Sequence, residues 1–151
     1  MRAPCDDGCV PIIWRRRDRQ LRTRLAAGGD LSGQDFSRAR LDLLKLRGAR
    51  LSGADLRGAD LTGTDLRYAN LSSANLRAAC LNGAQLNGAN LTEADLRDAY
   101  LSMVDFGNAT LTDACFTGAI WDQSTQWPGG FDPPFAKVGY WHGIKDDARD
   151  A

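Results

Sequence analysis

The chain has 151 residues, 43% of them hydrophobic, and nineteen basic side chains cancel nineteen acidic ones. That size fits one compact or elongated domain with modest extensions, and no apolar run approaches the length of a membrane span, which argues against a membrane-spanning helix. The neutrality is uneven: residues 1–28 carry seven Arg against three Asp, residues 29–118 nine basic against eleven acidic side chains, and residues 119–151 three against five.

In chain order, residues 1–11 contain Pro4, Gly8 and Pro11 and read as a flexible lead. Val10–Trp14 is apolar but runs into arginines without a hydrophobic leader region or cleavage site, so the expected location is the cytoplasm. Cys5 and Cys9 have no His or further Cys near them, which favours free thiols over a metal site. From Ile12 to Ala27 the pattern predicts a helix: Trp14, Leu21 and Leu25 fall on one side, Arg15, Arg16, Arg17, Arg19, Arg22 and Arg24 surround them, and Gly28-Gly29 ends it. Two roles compete for this basic element. It caps the open end of the segment that begins at Gly29, or it seeks an anionic membrane surface or nucleic acid. The narrow apolar face and the direct junction with that segment favour the cap.

Eighteen pentapeptides run unbroken over residues 29–118, each with Leu or Phe at its third place, from Leu31 to Phe116. Two residues before this centre stands Ala in thirteen units; the exceptions are Gly29, Gln34, Leu44, Thr64 and Val104. Residues two apart in a strand share a face, so the small residue and the large one both point inward. A step of five at about 100° per residue would scatter the leucines around a helix, which rejects that element. The two residues after the centre break the alternation, and Gly stands second after it at 33, 48, 53, 58, 63, 83, 88 and 118. The chain therefore turns a corner every five residues, helped by Asp or Asn immediately before the centre in ten units.

Units such as Ala54-Asp55-Leu56-Arg57-Gly58 and Ala59-Asp60-Leu61-Thr62-Gly63 resemble the pentapeptide repeat family. The resemblance implies an all-β solenoid, a right-handed quadrilateral β-helix with four units per coil, here preceded by the short capping α-helix. Independently, Ser52, Arg57, Thr62, Arg67, Ser72 and Arg77 alternate hydroxyl with Arg, a ten-residue rhythm compatible with a twenty-residue coil. Residues twenty apart then stack at about 4.8 Å. Arg57, Arg77 and Arg97 form one outward column, beside Asp35, Asp55, Asn75 and Asp95, and Ser32, Ser52, Ser72, Thr92 and Thr112 form another. The arginine column is a candidate polar recognition surface, with the neighbouring carboxylates offsetting its charge. Cys80 and Cys115 take the outward place before a centre on different sides, which argues against a disulfide between them.

Residues 119–151 close the array. Ala119-Ile120-Trp121 keeps the phase, and the following stretch, with Trp127-Pro128 and Phe131-Asp132-Pro133, is similar to the tail after other pentapeptide arrays. Its rings suit a plug for an exposed core. Tyr140 and Trp141 lie in a terminal extension and are candidates for a homodimer contact at that end.

Chemistry is sparse. His142 is the single histidine and has no Cys or Ser partner beside it, the glycines are corners spaced by fives instead of a phosphate loop, and no metal or cofactor set stands out. No enzyme is expected. The leading functional reading is a non-catalytic interaction or scaffold module that presents flat faces to another protein, with nucleic acid and membrane disfavoured. The resemblance offers a second: some family members mimic DNA, bind DNA gyrase and protect it from quinolones. Such mimicry needs a strongly negative rod, whereas residues 29–118 net only −2 and carry the arginine column. A third, targeting to an anionic surface, rests on Arg15, Arg16 and Arg19 of the basic helix.

Overall fold

Extended backbone in this chain lasts three residues at a time, because the second residue after every centre has a positive φ. The computed structural model describes residues 29–133. Over that range all eighteen places from Gly33 to Gly118 are left-handed, eight of them glycines at φ 62–74° and ten of them other residues at φ 53–62°. Glycine was expected at such corners; the finding is that Arg38, Leu43, Tyr68 and Met103 adopt the same conformation. Across each bend the amide three places after the centre donates to the centre's carbonyl, as Ala54 does to Leu51 at 3.1 Å and Ala74 to Leu71 at 3.0 Å. That bond, with a left-handed third residue, is the geometry of a type II turn.

Four bends bring the chain round once. Fourteen consecutive parallel bridges join residues twenty apart, from Asp35 with Asp55 to Tyr100 with Ile120. Face 1 carries the centres Leu31, Leu51, Leu71, Leu91 and Leu111; face 2 carries Phe36, Leu56, Leu76, Leu96 and Phe116; face 3 carries Leu41, Leu61, Leu81 and Leu101; face 4 carries Leu46, Leu66, Leu86 and Phe106. Coils are joined by backbone bonds in both directions: Leu56 N–H donates to Asn75 C=O at 2.7 Å while Asp55 N–H donates back to Gln34 C=O at 2.9 Å.

The inward register is the predicted one. All eighteen centres are buried, none more than 8% exposed, and no residue immediately after a centre is buried. Most small places are closed too, although Leu44, Ala49 and Ala114 are only partly covered. The one hydroxyl among the array's small places, on Thr64, donates to the Leu41 carbonyl at 2.8 Å and so is itself paired. Cys80 departs from expectation: it takes an outward place on face 3 yet is 7% exposed, with Sγ 3.3 Å from Thr62 Oγ1 and 3.7 Å from Asn82 Nδ2. Cys115, on face 2, is a free cysteine, so no disulfide joins it to Cys80.

At the C-terminal end the bridge Asp105 with Gln126 spans twenty-one residues, so one residue is inserted in the last coil. The insertion puts Trp127 beneath Phe106, stacked at 4.9 Å between ring centroids, and Thr125 in the small place before it. Thr125 then repeats the bond of Thr64, donating to the Leu101 carbonyl at 2.8 Å. Trp121 meets Trp127 edge-on at 5.5 Å, and Phe131 stacks on Trp127 at 5.3 Å, so all three rings pack against the core. The helix predicted over Ile12–Ala27, and with it the capping role, lies outside the described residues, as does everything beyond residue 133.

Two neighbouring substitutions should move stability in opposite directions. Leu76 is fully buried, so Leu76→Ala should cost about 2–5 kcal/mol in denaturant unfolding through the cavity it leaves. Ala78 is exposed at φ 53°, so Ala78→Gly should raise stability by up to about 1 kcal/mol, because glycine occupies that backbone region without strain. A destabilising Ala78→Gly would contradict the account of the corners.

Candidate functional site

With the inside filled by Leu, Phe and Ala, chemistry is left to the outward places. The Asp or Asn before a centre bonds locally in all ten units that have one. Its Oδ1 accepts the N–H of the residue after the centre, at 2.9 Å from Ser32 to Asp30, 3.1 Å from Ser72 to Asn70 and 2.8 Å from Gly107 to Asp105. These side chains are therefore turn supports first, which explains their number.

Where Arg follows the centre and Asp precedes it, the two also pair. Arg57 with Asp55 and Arg97 with Asp95, on face 2, close to 2.5 and 2.6 Å between Nη2 and Oδ2; Arg67 with Asp65, on face 4, closes to 2.8 Å. The side-chain hydrogen bond from each Arg holds Asp55, Asp65 and Asp95 below the usual carboxylate range, against a smaller upward effect of burial. Asn75 replaces the carboxylate beside Arg77, which makes no ion pair among the described residues. The predicted arginine column is thus real as a stack, but two of its three charges are already neutralised. Such a face has little net field to offer a partner.

Face 4 is different. Three large apolar side chains are exposed among the described residues: Leu43 at 75%, Tyr68 at 58% and Met103 at 68%. All three stand at left-handed corner places, and the corners they occupy are the two that border face 4: Leu43 and Met103 on the edge shared with face 3, Tyr68 on the edge shared with face 1. Leu43 and Tyr68 each lie over a glycine of the next coil. A Cβ built on Gly63 would come within 2.8 Å of Leu43 Cδ2, and one on Gly88 within 2.7 Å of the Tyr68 ring. Arg47, between them on the face, sets its guanidinium 4.8 Å from the Tyr68 centroid. Aromatic, Met and Arg side chains together on a flat surface are the residue types enriched where proteins bind one another.

No ladder of charge marks this group in the sequence; its signal is a large apolar side chain at a corner place. Leu43, Tyr68 and Met103 are the corner residues that carry one. Of the other residues singled out, Arg15, Arg16, Arg19, Tyr140 and Trp141 lie outside the described residues. Among those described, no cluster of His, Cys, Asp or Glu could hold a metal ion, and no helix is long and apolar enough to cross a membrane.

The paired carboxylates predict an acid response. Because their folded pKa is depressed, the stability they add is present above about pH 4, the ordinary carboxylate value, and is lost as pH falls through the lower folded value. The wild-type melting temperature should drop as pH goes from about 5 toward 2, and Asp55→Asn/Asp65→Asn/Asp95→Asn, which keeps the Oδ1 acceptor, should drop less; parallel curves would show that these pairs add nothing.

The chain is similar to known proteins. The family model for pentapeptide repeats matches residues 26–53, 45–83, 54–92 and 89–120, in eight copies. Among solved structures, HetL, a pentapeptide repeat protein involved in heterocyst differentiation regulation from the cyanobacterium Nostoc sp. strain PCC 7120, is similar at 34% identity and a TM-score of 0.51, over 61% of this chain. The match spans 46% of HetL, less than half of its length. A pentapeptide repeat protein from the cyanobacterium Cyanothece 51142 matches at 26% identity over 74% of this chain and 99% of its own, with a TM-score of 0.37. QnrB1, a plasmid-mediated fluoroquinolone resistance protein, matches at 22% identity over 63% of this chain and 64% of its own, with a TM-score of 0.31, a likeness that carries nothing about function. No curated protein matches the chain.

Proposed function

The chain belongs to the pentapeptide repeat family, and from that premise we propose that it is a non-catalytic protein-interaction module whose contact surface is face 4 of the rod. The observation that carries the reading is the gathering of Leu43, Tyr68 and Met103, the exposed large apolar side chains of the described residues, along the two edges of one face. A rod whose coils are tied by backbone bonds holds those side chains at fixed spacing, so little ordering cost accompanies binding. Faces 1 and 2 present hydroxyls and self-paired charges, a composition suited to water.

Duplex mimicry is the weaker reading for this chain. It asks for a continuous negative surface, whereas face 4 exposes Lys45 and Arg47 and face 2 alternates Asp with Arg. Cytoplasmic residence is part of the proposal and is inherited from the sequence alone.

The test is affinity capture from native cell extract with the full chain and with Tyr68→Ser/Met103→Ser, both checked for unchanged folding by circular dichroism. A protein retained by the wild type should be lost with the double variant and kept with Arg57→Ala/Arg97→Ala on face 2. Retention by the face 4 variant together with loss on the face 2 variant would move the contact surface to the arginine column.

A further inference from the structure

Face 4 is complementary to itself when two rods lie antiparallel. A two-fold axis running along the strand direction between the second and third coils exchanges the first coil with the fourth and the second with the third. Twenty-residue register then fixes the facing pairs over residues 43–108. Lys45, exposed, meets Asp105 of the second copy; Leu43 meets Met103; Asp65 meets Gln85; Arg67 meets Asn87; and Arg47 meets Gly107. Opposite charges, apolar groups and hydrogen-bonding partners coincide, and no like charges face each other.

The same operation fails on face 2, where it sets Asp35 against Asp95 and Arg57 against Arg77. Parallel rods fail on face 4, because Lys45 then faces Arg47. Tyr68 adds a further constraint. Its ring lies over Gly88 of its own next coil, which brings it toward the level of the axis, so the two Tyr68 rings of a pair meet at mid-height along the edge shared with face 1. Flat-lying aromatics are common anchors of a protein contact.

We infer that face 4 docks a second copy of this chain as an antiparallel, two-fold dimer through Lys45, Tyr68, Met103, Leu43 and Asp105. The inference rests on reading face 4 as the contact surface and names its occupant. The four rows that pair, at about 4.8 Å each, span only about 19 Å, small beside the interfaces of permanent dimers, so the association is concentration-dependent.

Lys45 and Asp105 form no ion pair within the chain, and three coils, about 14 Å, separate them. A charge swap therefore reports on contact between copies. By sedimentation velocity over a concentration series, the full chain should shift from monomer to dimer. Lys45→Glu and Asp105→Lys should each weaken the dimer, and Lys45→Glu/Asp105→Lys should restore it, because each copy then offers the reversed pair. Tyr68→Gly keeps a favourable corner, so its monomer should fold and melt no lower, yet its dimer should weaken by about tenfold or more, as expected for loss of an aromatic anchor. A chain that stays monomeric at every concentration overturns the inference, as does a dimer indifferent to all four variants, which would point instead to the C-terminal end. In either case a heterologous protein still captured through face 4 would leave the interaction reading standing, and loss of both would remove the two together.

Discussion

A left-handed residue every five positions is the constraint on which the rest depends. It limits each extended stretch to three residues, closes a type II turn, and repeats until four sides have returned the chain to its own edge. Only then can Leu56 N–H find Asn75 C=O in the next coil and Asp55 find Gln34 in the previous one. The core follows from the same bend: with three residues per side, the small residue and the centre point in, and the space between four sides is filled by leucines tiled against alanines. Ten of the eighteen corners achieve this with a side chain in a conformation glycine adopts freely.

That strain links fold to surface. A corner side chain cannot point inward, and those that are large have nowhere to go but across the coil beneath. Leu43 and Tyr68 do so over Gly63 and Gly88, and the glycines make the bed in which they lie. Apolar groups at these two places thus remain exposed while being held still. Arg57, Arg67 and Arg97 illustrate the opposite case: standing next to the centre with Asp two places behind, they fold back on their own turn and their charge is neutralised locally.

Much of this was legible in the sequence. The period of five, the inward places and the turn-supporting Asp and Asn follow from alternation and short side-chain chemistry, and the structure bears them out at every centre from Leu31 to Phe116. Three things were not. Left-handed backbone at Arg38 or Tyr68 is imposed by the ladder between coils, which no local preference announces. The inserted residue that brings Trp127 beneath Phe106 is invisible to a count by fives, since the phase simply lapses after Trp121. Face 4 emerges only when residues 43, 68 and 103 are placed on edges of one side, which requires the twenty-residue coil.

One side of this rod, bordered by Leu43, Tyr68 and Met103, is on this reading the surface through which it meets other molecules. Backbone amide chemical shifts of the isotope-labelled full chain, followed by NMR as its own concentration is raised, test that most directly. The expected shifts are confined to residues 43–48, 63–68, 83–88 and 103–108, recurring at twenty-residue intervals along face 4. Shifts that cluster on face 2 around Arg57, Arg77 and Arg97, or that gather only at the aromatic end around Trp121 and Trp127, would contradict it.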